Sequence, residues 1–96
     1  MESLIRYDVA EYQGVKMVVV ESELLPRDPA VVVIPLLVDY PAVKDLNPDI
    51  LHEGSRFVLA TRLIAAVRRA SLRRVGSVAD QADRILRAVD VLIAGV

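Results

Sequence analysis

The sequence predicts a mainly β chain closed by one C-terminal α-helix, and three observations carry that expectation. Short runs rich in Val, Ile and Tyr, punctuated by Pro, Gly and Asn, fill the first two thirds of the chain. Apolar residues at 78, 82, 85, 86, 89, 92 and 93 then fall at helical spacing. The composition, 54% apolar and 26% charged over 96 residues, suffices for one domain with a real core and carries too little charge for disorder.

Taken in order, "LIRYDV" (4–9) and "VKMVVVES" (15–22) read as a β-hairpin joined through "AEYQG" (10–14), where Gly14 can take a positive φ. "LLPRDP" (24–29) is a break. "AVVVIPLLV" (30–38) is a third strand, and Pro35, which cannot donate to a ladder, predicts an edge or a bulge there. "DYPAVKDLNPD" (39–49) is a loop with two prolines, Asn47 and three aspartates. "ILHEGSRFVLAT" (50–61) is a second hairpin turning at Glu53-Gly54-Ser55. "RLIAAVRRASLRRV" (62–75) fits neither period cleanly and is taken as strand with a turn near Ala65-Ala66.

Ser77 before Val78-Ala79-Asp80 forms a capping box with Asp in place of Glu, opening a helix from Ser77 or Val78 to about Ala94. Its stripe of Val78, Ala82, Ile85, Leu86, Val89, Leu92 and Ile93 is expected to lie on the sheet, with Ile85 and Val89 in the core. Asp80–Arg84 and Asp83–Arg87 are acid-before-base pairs on the other side, worth about 0.3–0.5 kcal/mol each. Gly95 is a natural helix end. Residues 1–96 are thus expected to form one domain, with strands over about 3–75 and the helix over about 78–94.

The exclusions are as informative. No apolar run approaches the roughly 18–20 residues of a membrane helix, and "MESLIRYDVAEYQG" carries too many charges for a signal peptide. There is no cysteine, so disulfides and thiolate chemistry are excluded, and a cytoplasmic location is the expectation. His52, the single histidine, reads as an exposed turn residue beside a hairpin loop rather than as a catalytic base. Four scattered glycines make no phosphate-binding loop. Asp39, Asp45, Asp49 and Glu53 lack the regular spacing of a calcium loop, and no zinc ligand set exists. No cofactor, metal or catalytic residue is expected.

Net charge is −1, but it is divided unevenly. Residues 1–55 hold four Lys/Arg against ten Asp/Glu, and residues 56–96 hold eight Arg against three Asp. The basic half either complements the acidic half within one fold or faces an anionic partner. Arg68-Arg69 and Arg73-Arg74 are the candidates for such a partner. Tyr7, Tyr12, Tyr40 and Phe57 all lie upstream of them, so base stacking is disfavoured and an acidic protein segment ranks above nucleic acid.

Several stretches together resemble the CcdB toxins of bacterial toxin–antitoxin modules: "VVVIPLL" (31–37), "LNP" (46–48), Gly54, "FVLATRLIAAV" (57–67), "LRRVGSV" (72–78) and "ILRAVDVLIAGV" (85–96). The most telling part is the ending A-x-D-x-L-x-x-G-V at 88–96. The resemblance implies an SH3-like antiparallel β-barrel with a C-terminal helix, a homodimer, and a CcdA-like antitoxin. It also implies a target, the DNA gyrase A subunit, reached through the last residues of the chain. On this sequence those residues are Ile93, Ala94, Gly95 and Val96, with Gly95 at the family's penultimate glycine and Val96 in place of a terminal isoleucine. Ala94 stands where the family's poison carries a tryptophan, and loss of that aromatic predicts a weaker grip. Antitoxins of such modules tend to carry acidic, disordered arms, which Arg68, Arg69, Arg73 and Arg74 would suit. The alternatives are an endoribonuclease toxin of the MazF/Kid type on the same fold, whose N-terminal Arg-Gly-Asp-Ile/Val and Arg-Pro signatures are missing, and a degenerate toxin that binds antitoxin without poisoning gyrase. Neither membrane nor sequence-specific nucleic-acid binding is expected.

Overall fold

A computed structural model describes residues 3–95. Its first hairpin pairs β1 (Asp8–Tyr12) with β2 (Val15–Val19). The two-residue turn is Gln13-Gly14, both at positive φ (51° and 79°), the backbone that matches the twist of tight hairpins. The first strand therefore lies four residues later than the sequence suggested. Residues 5–8 form a turn instead: Tyr7 sits at φ 74°, the Asp8 N–H donates to Ile5 O (3.0 Å), and the Ile5 N–H donates to Asp8 Oδ2 (3.0 Å).

β3 (Ala30–Leu37) is the hub of the sheet. It pairs with β2 along one side. On the other side its first half pairs with β6 (Ala65–Arg68) and its end with β5 (Ser55–Leu59). Pro35 falls at the seam between those two partners, and its carbonyl accepts from the Ala60 N–H (3.0 Å) on that side. The missing N–H thus faces the one stretch where no ladder partner needs it. The expected edge or bulge is replaced by a change of partner in a central strand.

β4 (Asp49–His52) and β5 form the second hairpin, turning at Glu53 (φ 52°) and Gly54 (φ 77°). A single 3₁₀ turn at 61–63 leads into β6, and another at 69–71 leads into β7 (Arg73–Ser77). Ala65 and Ala66, where a turn was expected, are strand residues opposite Val33 and Val32. β7 pairs with β1, with a bulge between Val9 and Ala10. The path β4-β5-β3-β2-β1-β7, with β6 on β3, curls the antiparallel sheet into a half-barrel. This agrees with the barrel-like fold expected, a mainly β sheet carrying a C-terminal helix.

Both faces of the curl are apolar, which explains continuous runs such as "VVVIPLL". Ala10, Met17, Val19, Val31 and Val33 form one cluster with Leu4, Val67 and Leu72. Their strand neighbours Val9, Val18, Ile34 and Leu36 point the other way and join Ile50, Leu59, Val78, Ile85 and Ala88. The helix α1 (Ala82–Ala94) closes this second cluster, preceded by a 3₁₀ turn at 79–81. Ser77 Oγ accepts from the Ala79 N–H (3.2 Å), a local cap one residue short of the box geometry. Within α1, Ile85 and Ala88 are buried, Val89, expected in the core, is half-buried against it, and Leu86 and Ile93 of the expected stripe are exposed, because the docked face is narrower than the stripe. Arg84 and Arg87 turn away from their expected helix partners: Arg84 Nη1 donates to Asp49 O (3.1 Å) and Arg87 Nη2 lies 3.7 Å from Asp45 Oδ2.

The free edge of β4 meets this helix start. Gln81 Nε2 donates to Leu51 O (2.8 Å), and the Leu51 N–H donates to Gln81 Oε1 (2.9 Å). One side-chain amide thereby takes the two bonds that a neighbouring strand would take.

Candidate interaction surfaces

The C-terminal end of α1 is the first surface. The docked part of the helix stops at Val89–Leu92, and beyond it Ile93 is 75% exposed, with Ala94 and Gly95 exposed too. Gly95 adopts φ 74° and ψ 17°, and its N–H donates to Val91 O (2.9 Å). That is the left-handed cap a glycine takes at no steric cost. It ends the helix. Val96 lies outside the described residues. The structure so presents Ile93, Ala94 and Gly95 together at one projecting end.

The arginine segment divides into two groups. Arg73 Nη2 lies 2.6 Å from Glu11 Oε1, and Arg74 Nε lies 3.2 Å from Asp8 Oδ2, so both tie β7 to β1. Arg69 is nearly buried; its Nε donates to Asp28 O (3.0 Å) and its Nη2 lies 3.7 Å from Glu21. Arg68 is exposed and has no carboxylate within 4.0 Å among the described residues. Together with Arg56–Asp49 and Arg87–Asp45, these pairs join the basic part of the chain to the acidic part. The charge asymmetry is therefore largely answered within the fold. Beside Arg68 runs an open groove of about 830 Å³, between residues 27–30 and the stretch from Ala66 to Ala70. Sequence reasoning missed it, because it arises from pairing residue 30 with residue 68.

His52 corrects another expectation. It is 5% exposed, not a surface turn residue. Its imidazole fills the space over Gly76 of β7, where an added Cβ would stand 2.6 Å from Cε1. Nε2 lies 3.3 Å from Glu53 Oε1 without hydrogen-bond geometry. Histidine and glycine are 24 residues apart, and only the curl brings them together. In the 41–49 loop, Asn47 holds the chain: the Thr61 N–H donates to Asn47 Oδ1 (3.3 Å), Asn47 Nδ2 donates to Pro41 O (3.2 Å), and the Thr61 hydroxyl donates to Leu46 O. Among the described residues no cluster of His, Cys, Asp or Glu could hold a metal ion, and no helix is long and apolar enough to cross a membrane.

The family model for the CcdB protein matches residues 6–95. The chain belongs to the CcdB family. The match takes in the seven described strands and α1 through Gly95. CcdB proteins are toxins of toxin–antitoxin modules, typically directed at gyrase, and are not a family of catalysts. A search of the curated proteins finds no match.

Proposed function

We propose that this CcdB-family chain is a cytoplasmic, homodimeric toxin that binds the DNA gyrase A subunit through Ile93, Ala94, Gly95 and Val96, inhibits the topoisomerase by that contact, and is neutralised by a CcdA-like antitoxin. The observation that carries the reading is the projecting end of α1: an isoleucine three-quarters exposed, directly beyond a helix whose other face is locked into the core. A rigid helix ending in apolar side chains loses little ordering entropy on binding. Ala94 offers a methyl group where the poison of the family offers an indole. Truncated hot spots commonly cost about 2 kcal/mol, a factor of about thirty in affinity, so inhibition is expected to be weak.

For the antitoxin, the open charge is Arg68 beside its groove. Arg69, Arg73 and Arg74 would have to exchange an internal carboxylate for an external one, which limits their gain. The test of the target contact is supercoiling by purified gyrase at graded toxin concentrations. The full chain inhibits weakly, Ala94→Trp inhibits more strongly, and a chain lacking Gly95 and Val96 does not inhibit although it folds. A truncated chain as inhibitory as the full one removes the proposal. Incubation with total RNA is the control for the ribonuclease alternative.

A further inference from the structure

We infer that Gln81 is a positioning residue that fixes the direction of α1, and through it the projecting end, by acting as a surrogate strand on the edge of β4. The inference rests on the reading of that end as a target contact. α1 itself sinks only Ile85 and Ala88 fully into the core. Burial of a medium and a small apolar side chain has no directional preference; it holds a helix down without by itself setting its direction. Among the described residues no side-chain cap fixes the start of α1 either. Direction has to come from groups that bond along a line, and these lie on one side of the helix. Gln81 exchanges two bonds of 2.8 and 2.9 Å with the Leu51 backbone, Arg84 donates to the Asp49 carbonyl, and Arg87 approaches Asp45.

Spacing of three residues on the helix is met by a line of partners running back along the chain through 51, 49 and 45. The last pair is 3.7 Å long with more than half of the arginine side chain in solvent, so it adds little. Arg84 makes a single contact from an exposed side chain. Gln81 alone makes two bonds of opposite sense, and only two fix an angle as well as a distance. It also stands at the base of a lever. Thirteen residues of helix span about 20 Å, so a tilt of about 10° at Gln81 moves the far end by about 3 Å. A displacement of that size takes a small contact out of register.

The test compares Gln81→Met, which keeps length and removes both bonds, and Gln81→Glu, which keeps only the acceptor for the Leu51 N–H, with the unchanged chain. Residual dipolar couplings of backbone N–H groups read the orientation of α1 against β1–β3 without any target. Binding to the purified gyrase A subunit is measured by calorimetry on the same three proteins. The expected result is a chain still helical over 82–94, sheet couplings unchanged, and α1 couplings altered in the order Met more than Glu. Affinity falls about five-fold for Gln81→Met, as it does when only a fraction of molecules holds the competent orientation. Unaltered α1 couplings in Gln81→Met overturn the inference, as does unaltered affinity in proteins that bind. If even the unchanged chain does not bind, the target reading fails while the couplings still decide what Gln81 does.

Discussion

Ile85 and Ala88 are the two side chains by which α1 reaches fully into the core, and Ile85 is the larger. Truncation of a buried isoleucine removes its transfer energy and leaves a cavity. Ile85→Ala is expected to lose about 2–5 kcal/mol, read as a lower urea midpoint at constant slope. Val89, half-buried at the rim of the same cluster, loses less on truncation. Gly76 is constrained from outside rather than by its own backbone. A methyl group there meets His52 Cε1 at 2.6 Å, inside the closest approach of real carbon atoms. Gly76→Ala is expected to cost about 1–3 kcal/mol through overpacking. In a His52→Ala background the same change costs much less, and equal costs in both backgrounds on urea titration would break the account.

At the scale of elements, the arginines sort by partner. Arg73→Glu sets like charges against Glu11 across the β1–β7 ladder, so it lowers the melting temperature. Arg68→Glu meets no carboxylate within the described fold and leaves the melting temperature nearly unchanged. It is expected to weaken the antitoxin complex, more at low salt than at high salt. If Arg68→Glu binds antitoxin as the unchanged chain does at low salt, the groove is not the docking surface. Much of the fold was legible from local pattern. The helix showed because seven apolar positions repeat at its period, and the second hairpin because Gly54 marks its turn. The first strand was misplaced because nothing local announces that Tyr7 adopts a left-handed backbone. The stretch at 62–75 showed no period because two 3₁₀ turns cut it into short pieces, of which Val67 and Leu72 pack on the cluster around Val31 while Ile64 and Val75 pack on the one around Ile85. The projecting end showed in the apolar run at 91–94. The latch at Gln81, the groove and the burial of His52 did not, since each joins residues 24 to 41 positions apart.

For the whole molecule, the question is what covers the apolar side chains that the curl leaves outside. Leu24 is 92% exposed and Val38 70%, and Ile5 and Leu25 are mostly exposed as well. Side chains of this kind gather at interfaces between copies. Light scattering at micromolar concentration is expected to give twice the chain mass, and a single-chain mass there would remove the homodimer. The pairing of an acidic first part with a basic second part also implies that stability falls on mild addition of salt, by screening Arg73–Glu11 and Arg87–Asp45.

The ladder between β1 and β7 has a kinetic side. Asp8 waits for Ser77, and Glu11 for Arg73, across more than sixty residues. Loop closure over such distances comes late and slows the whole reaction. During synthesis the first three strands leave the ribosome with surplus negative charge and without Ile85 to cover them. A nascent chain that has not yet delivered β7 and α1 has neither a closed core nor a helix end held in place. The topology thereby makes closure of the sheet and the seating of α1 late events that come together, since β7 and Ile85 both arrive after the strands they cover.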